Sequence, residues 1–171
     1  MRRPLLTAAL ALALPLAACN RAGAQAVAPA ELAAETQKSE AFLAANAKKP
    51  GVVVRPSGLQ YRVISAGPAD GPHPAEGDEI KVHYEGKLIS GLVFDSSFDR
   101  GTPAIMTLGR LVPGWMEAIP LMRPGDEWEL VLPASLGYGD RGAGEDIPPG
   151  AALVFRIQLL GVLPQPKTAN G

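Results

Sequence analysis

The feature that most constrains the fold is a series of short segments, between residues 59 and 162, in which apolar and polar residues alternate. In the clearest one, Ile80, Val82 and Tyr84 alternate with polar neighbours. A period of two predicts strands that are buried on one side only. The predicted strands occupy residues 59–65, 78–88, 91–97, 103–109, 127–133 and 152–162. Gly, Pro and Asp residues separate them, which favours an antiparallel sheet with tight turns.

One helical segment interrupts the strands. Its apolar residues recur at the spacing of a single helix face, at Trp115, Ala118, Ile119 and Met122. Pro113 lies near its start, and Pro124 followed by Gly125 ends it. Many strands with one short helix predict the α+β class, with an antiparallel sheet packed on that helix.

A second helix is predicted at residues 30–50, which are rich in helix-forming residues and end at Pro50 and Gly51. Its apolar stripe is thin, with Leu32, Phe42 and Leu43 as its main members. We therefore expect this helix to be exposed or only lightly docked.

The N-terminus has the layout of a secretory signal peptide over residues 1–18, with two arginines, an apolar run and small residues before Cys19. The run is interrupted by Pro15 and is short of the ~20 residues that span a bilayer. Residues 19–29, rich in Ala, Gly and Gln, are predicted to form a flexible tether, and residues 164–171 a disordered tail.

Composition excludes several function classes. The 171 residues suffice for one domain with extensions. With 16 basic and 17 acidic residues and no basic stripe, nucleic acid is not an expected partner. Two His and one Cys leave no conventional zinc site. Glu76, Asp78 and Glu79 are interpreted as a solvated turn. Two nearby carboxylates could indicate a glycosidase, but nothing in the sequence fixes the separation that such an enzyme needs.

Residues 137–150, GYGDRGAGEDIPPG, contain a formal GxGxxG match. A dinucleotide-binding loop requires a helix immediately afterwards, whose N-terminal amides bind the phosphates. Pro148 and Pro149 prevent such a helix, and Glu145 and Asp146 would repel a pyrophosphate. The remaining interpretations are a solvated hairpin loop and a flap over a binding site.

Five segments occur in the order and spacing of one family: VHYEGKL, GLVFDSSFDRGTP, LVPGW, LGYGDRG and IPPGAALVFRIQLL. Through them the chain resembles the FKBP-type peptidyl-prolyl cis-trans isomerases, with the domain expected at residues 56–163. Residues 42–64 further resemble the secreted bacterial branch related to macrophage infectivity potentiators, in which a helix leads into the domain. Here the lead is shorter than the dimerisation domain of that branch, so the resemblance leaves the oligomeric state open.

The resemblance implies a twisted antiparallel sheet wrapped around one short helix, and rotation about X–Pro bonds of exported polypeptides without a cofactor or metal. Macrolide inhibitors are implied as further ligands. Residues 16–19 are similar to the lipobox of bacterial lipoproteins, in which Cys19 would carry the lipid, although an ordinary signal peptide with an incidental Cys has the same layout. Asn20 instead of Asp after the Cys is similar to the sorting signal of two-membraned bacteria, and this resemblance implies the outer membrane, facing the periplasm; in a bacterium with one membrane it implies the extracytoplasmic membrane surface.

The family's apolar cleft, carried over by position, would be lined by Tyr84, Phe94, Asp95, Leu111, Val112, Trp115, Tyr138, Ile147 and Phe155. The expected catalytic residues are Tyr84, Phe94, Asp95, Tyr138 and Phe155, and the expected substrate-binding residues are Leu111, Val112, Trp115, Ile147 and Arg100. The resemblance makes Trp115 the floor under the proline ring, the Val112 N–H and Tyr138 hydroxyl donors to substrate carbonyls, and Asp95 an orienting group beside Arg100.

From the pattern alone, these aromatic residues could instead form the core of the sheet, and Asp95 an Asx turn. His83 is expected to be exposed on the opposite face of its strand. Ala104, Ala143 and Asp146 depart from the family's usual residues, and Ala104 would open one wall of the cleft. Two other functions remain open: a chaperone that binds without turnover, and a structural lipoprotein without a cleft.

Overall fold

The structure is a computed structural model that describes residues 29–163. The predicted signal peptide at 1–18, the lipidation site Cys19, the tether up to residue 28 and the tail at 164–171 lie outside the described residues. No helix within residues 29–163 is long and apolar enough to cross a membrane, and no cluster of His, Cys, Asp and Glu side chains in that range could hold a metal ion.

The described residues form two α-helices and seven strands. In chain order these are α1 (Pro29–Asn46), β1 (Val53–Val54), β2 (Gln60–Ser65), β3 (Glu79–Leu88), β4 (Val93–Ser96), β5 (Ala104–Thr107), α2 (Pro113–Ala118), β6 (Glu127–Leu132) and β7 (Leu153–Leu163). Short 3-10 helices span Ile119–Leu121, Ala134–Leu136 and Gly139–Arg141. The predicted α+β class, with one helix before an antiparallel sheet and a short helix within it, is confirmed.

The strands lie in the order β1-β2-β6-β7-β3-β4, and β5 pairs with β3 beyond the end of β4. Every pairing is antiparallel. The longest ladder joins β3 to β7, from Glu79 opposite Leu163 to Leu88 opposite Leu153. The residue pairs of this ladder bring side chains of two long strands to one face, where α2 packs.

The alternating residues of β3 and β7 are buried as predicted. Ile80, Val82 and Ile157 are fully buried, and Tyr84 and Phe155 are nearly so. The α-helical part of α2 is shorter than predicted, because it ends at Ala118 and continues as a 3-10 turn. Pro120 has no N–H to donate, and its ring would clash with the carbonyl four residues earlier.

Helix α1 ends at Asn46, earlier than the predicted limit at residue 50. It contacts the domain through buried polar side chains and through Leu32, which lies beside Gly150. The Asn46 amide donates to Oε1 of Gln60 at 2.9 Å, and the Ser39 hydroxyl donates to the Gly150 carbonyl at 2.9 Å. Specific hydrogen bonds therefore dock the helix on strand β2 and on the end of the 137–150 loop.

Two expectations for polar residues were wrong. Asp78 is buried, and one of its carboxylate oxygens accepts a hydrogen bond from the Ala75 N–H at 2.8 Å, so it holds the turn from within. His83 is half-buried, because the chain after β4 folds back over β3. Its Nδ1 lies 2.9 Å from the Ser97 hydroxyl, and its ring stacks on Phe98 with the centroids 4.8 Å apart.

Candidate active site

A cleft of about 280 Å³ opens between α2, the 137–150 loop and strands β3, β4, β5 and β7. It is lined by Tyr84, Phe94, Asp95, Met106, Arg110, Leu111, Val112, Trp115, Tyr138 and Phe155. The structure thus brings together every residue expected to line the cleft except Ile147. Most of the lining is apolar or aromatic, as is typical of small-ligand sites.

Four aromatic rings form the base and walls of the cleft. The Trp115 ring lies with its centroid 5.3 Å from that of Tyr84 and 5.4 Å from that of Phe155, at interplanar angles of 84° and 83°. Phe94 meets Phe155 edge to face at 5.7 Å. This is the preferred geometry of aromatic pairs. Because Tyr84, Trp115 and Phe155 also belong to the buried core, the two sequence interpretations, core and cleft, hold together.

Gly86 creates the space that two of these rings occupy. It lies on β3 opposite Asp95 on β4 and opposite Phe155 on β7. A Cβ at this position would come within 2.6 Å of the Phe94 ring and 2.7 Å of the Phe155 ring. Sequence reasoning missed this residue, although a glycine inside a well-formed strand is itself a signal of close approach.

Asp95 is held by two neighbours at the rim. The Tyr84 hydroxyl donates to its Oδ2, and the Arg100 guanidinium donates to its Oδ1. A second Arg100 nitrogen lies 3.1 Å from the Tyr84 hydroxyl oxygen, which closes the triangle. Arg100 itself is not part of the cleft lining, so the structure places it behind the carboxylate.

The electrostatics of this triad fix its protonation. Partial burial acts to raise the pKa of the Asp95 carboxyl, but the hydrogen bonds from Tyr84 and Arg100 outweigh it and hold that pKa below its usual value. Burial, followed by the bond to Asp95, raises the pKa of the Tyr84 hydroxyl. At neutral pH the triad is therefore a carboxylate, a protonated phenol and a guanidinium. Both carboxylate oxygens already accept hydrogen bonds, which suits orientation better than proton abstraction.

Hydrogen-bond donors stand at the mouth of the cleft. Val112 precedes α2 with extended backbone angles, and its carbonyl accepts the N–H groups of Trp115 and Met116 at 2.9 and 3.1 Å. Among the described residues none accepts a hydrogen bond from the Val112 N–H. The Tyr138 side chain is 41% exposed and lines the same cleft. Both groups are thus available to a ligand carbonyl.

The 137–150 loop covers one side of the cleft and leads directly into β7. A backbone bridge between Ala143 and Ile147 closes its tip, and Gly142 there has a φ of 63°. Ile147 belongs to the buried core, where it is 6% exposed, and it is not among the residues that line the cleft. Since the next regular element after the loop is strand β7 and not an α-helix, the dinucleotide interpretation fails and the glycines serve turns.

Two lining residues, Met106 and Arg110, were not expected from the sequence. Met106 comes from β5, two residues after the half-buried Ala104. Arg110 is exposed and has no hydrogen bond or ion pair with any side chain in residues 29–163. The only signal for Arg110 was its position directly before the LVPGW segment.

Comparison with known proteins agrees with this geometry. The family described as FKBP-type peptidyl-prolyl cis-trans isomerase matches residues 71–160, and the domain amino terminal to it matches residues 8–63. The FKBP-type 22 kDa isomerase of Escherichia coli is 52% identical over 122 residues, which are 71% of this chain and 58% of that protein. Outer membrane protein MIP of Legionella longbeachae is 48% identical over 125 residues, 73% and 53% of the two chains.

The crystal structure of FkpA from Escherichia coli shares the fold, with a TM-score of 0.76 at 37% identity over 80% of this chain and 63% of that one. The chain spans a little more than half the length of the two curated relatives described above. The match over residues 71–160 includes most of the sheet, α2 and the cleft. The chain therefore belongs to the FKBP-type peptidyl-prolyl cis-trans isomerase family.

Proposed function

We propose that this protein is a peptidyl-prolyl cis-trans isomerase that accelerates rotation about X–Pro bonds in exported or unfolded polypeptides. The observation that carries the proposal is the cleft itself, in which edge-to-face aromatic rings lie beside a fixed, hydrogen-bonded carboxylate. The cleft is large enough for a proline ring and its neighbouring backbone. Tyr138, at its rim, is exposed to solvent.

The physical basis is differential solvation of the amide. Rotation about a peptide bond has a barrier of ~18–20 kcal/mol, because resonance stiffens the planar form. That planar form is more polar than the twisted one, so a dry aromatic cleft favours the twisted transition state by comparison. In this proposal Trp115 supports the proline ring, while Tyr84, Phe94 and Phe155 exclude water from its sides.

The polar groups orient the substrate. The Val112 N–H and the Tyr138 hydroxyl would hold substrate carbonyls, and Leu111 extends the apolar surface between them. Asp95 is ionised and is held by Tyr84, with Arg100 behind it. A fixed anion there would orient the dipole of the rotating amide, and no proton transfer or covalent step is required.

Peptide turnover tests the proposal. The full-length chain, solubilised in detergent, would be added to a Leu-Pro peptide whose cis-to-trans relaxation takes ~10–100 s unassisted. We expect acceleration that is first order in protein and is inhibited by a macrolide. Trp115→Leu, with circular dichroism to check folding, should remove most of it. A folded wild-type protein without acceleration would contradict the proposal and favour a module that binds chains without turnover.

We further propose an envelope location, with the protein anchored through lipid on Cys19. The lipobox-like ending at residues 16–19 and the name of the Legionella longbeachae relative, an outer membrane protein, support it. Mass spectrometry of the mature N-terminus should show acyl chains on Cys19. Cys19→Ala should move the protein from the membrane fraction to the supernatant, and unchanged fractionation would contradict the anchor.

A further inference from the structure

We infer that Ser39 of α1 is a positioning residue of the cleft, which acts by holding the end of the 137–150 loop and, through it, Tyr138. The inference rests on the proposed isomerase function for its kinetic readout, although its structural readout is independent of turnover. The evidence consists of a buried hydroxyl that contacts the loop end, a backbone bond from there to the residue after Tyr138, and close packing of α1 on the loop.

The Ser39 hydroxyl joins two ends of the same turn. It is 3% exposed, donates to the Gly150 carbonyl at 2.9 Å and accepts from the Ala152 N–H at 2.8 Å. A hydroxyl can donate and accept at once, which a methyl or an ammonium group cannot do. Because the site is buried, removal of the hydroxyl leaves two backbone groups without a partner.

The turn that Ser39 holds is bonded to the cleft. The Gly150 N–H donates to the Gly139 carbonyl at 3.0 Å, and Gly139 directly follows Tyr138. On the other side, Ala152 precedes β7, which carries Phe155. The same hydroxyl therefore ties α1 to both flanks of the cleft, the exposed Tyr138 and the buried Phe155.

Close packing leaves the turn little freedom against α1. A Cβ on Gly150 would come within 2.7 Å of the Thr36 hydroxyl and 3.0 Å of a Leu32 methyl. Leu32, Thr36 and Ser39 are spaced as one face of a helix, so this face of α1 lies directly on the loop end. Thr36 bonds back to the Leu32 carbonyl at 2.9 Å, which keeps its hydroxyl within the helix.

Tyr138 depends on this support because its own side chain is not buried. It is 41% exposed, so its place at the rim is set by the backbone beneath it rather than by packing of its ring. Loss of the Ser39 bonds should let the loop end shift and reduce the time that Tyr138 spends at the rim. Its hydroxyl would contact planar and twisted substrate alike, so we expect KM to rise while kcat changes little.

The test compares Ser39→Ala with Asn46→Ala in the full-length protein. Ser39→Ala removes two buried hydrogen bonds of α1 and Asn46→Ala removes one, but Asn46 contacts Gln60 of β2 and not the loop. We expect both variants to lower Tm, while only Ser39→Ala raises KM, by about threefold to tenfold, the factor that corresponds to one hydrogen bond. Ser39→Thr retains the hydroxyl and should restore most of the affinity.

Two further measurements isolate the path. Hydrogen exchange of the Gly150 amide should be faster in Ser39→Ala and unchanged in Asn46→Ala. This result is expected even if the wild-type protein has no turnover, because a lack of turnover would refute only the proposed function. In a Tyr138→Ala background, Ser39→Ala should no longer change KM. Equal KM values for Ser39→Ala and Asn46→Ala, unchanged exchange at Gly150, or a full effect without Tyr138 would each overturn the inference.

Discussion

Replacement of Gly86 by alanine is the sharpest test of how the cleft is built. Gly86 does not have a positive φ, so its backbone conformation is one that alanine adopts without strain. The only obstacle is the space beside it, which the rings of Phe94 and Phe155 occupy. The substitution therefore shifts the rings of Phe94 and Phe155 and leaves every side chain that lines the cleft chemically unchanged.

The size of the displacement follows from the distances. The new methyl would stand 2.6 Å from a Phe94 ring carbon and 2.7 Å from a Phe155 ring carbon. Carbon atoms pack best at about 3.5–4.0 Å, so the rings must move by roughly 1 Å. Overpacking of this kind typically costs about 1–3 kcal/mol of stability. A shift of about 1 Å in a binding site can lower activity by about a hundredfold.

The assay is kcat/KM for a Leu-Pro peptide, together with the free energy of unfolding in urea. Gly161→Ala is the matched control, because Gly161 also lies in the sheet, has no positive φ and has no atom within 4 Å of an added Cβ. We expect Gly161→Ala to retain activity and to gain about 0.4–1 kcal/mol from a stiffer unfolded chain. Wild-type kcat/KM in Gly86→Ala, with unshifted aromatic resonances, would refute the role assigned to these rings.

Three further predictions concern the charged and polar rim. Tyr84→Phe removes the hydroxyl that donates to Asp95 but keeps the ring, so kcat/KM should fall by about threefold to tenfold, and an unchanged value would exclude the Tyr84 hydroxyl from the reaction. The folded pKa of Asp95 lies below its unfolded value, so the ionised carboxylate stabilises the fold above about pH 4, and this contribution disappears as the pH falls through the folded pKa. In urea unfolding, the difference in free energy of unfolding between wild type and Asp95→Asn should therefore shrink in acid. It should also shrink in high salt, since the Asp95 side chain is 41% exposed. A difference that does not depend on pH would contradict this. Arg110→Glu should change the ratio of kcat/KM between peptides that carry Glu and peptides that carry Lys beside the X–Pro bond, by about twofold to fivefold, the range of exposed ion pairs. Lys81→Gln on β3 should leave this ratio unchanged.

Much of the sheet could be predicted because its signal is local. The alternation in β3 and β7 follows from burial of one face, and it predicted the first and last residues of both strands to within one position. Strand β1 has only two residues, Val53 and Val54, which is too short for a period to appear. The end of α2 depended on Pro120, whose effect on the last turn is a matter of backbone geometry rather than of apolar spacing.

The candidate site was predictable where strands and α2 position it, and less so where a loop does. Ile147 was expected to line the cleft, but its backbone pairs with Ala143, its side chain lies in the core, and it is not among the lining residues. No local sequence pattern predicts such a bridge, because it depends on turn conformations along the whole loop. The role of Ser39 was equally hidden, since a serine on a polar helix has the pattern of a solvated residue until its partners 111 and 113 positions away are known.

The place of β7 in the sheet has a consequence for biosynthesis. It is the last described element of the chain, yet it lies between β6 and β3, so without it the strands form two separate groups. Ribosomes make the N-terminus first, and pairings between distant segments form slowly. The nascent chain therefore cannot close its sheet until β7 has been synthesised. The envelope location proposed here requires export of the chain, and this arrangement lengthens the interval before the domain folds.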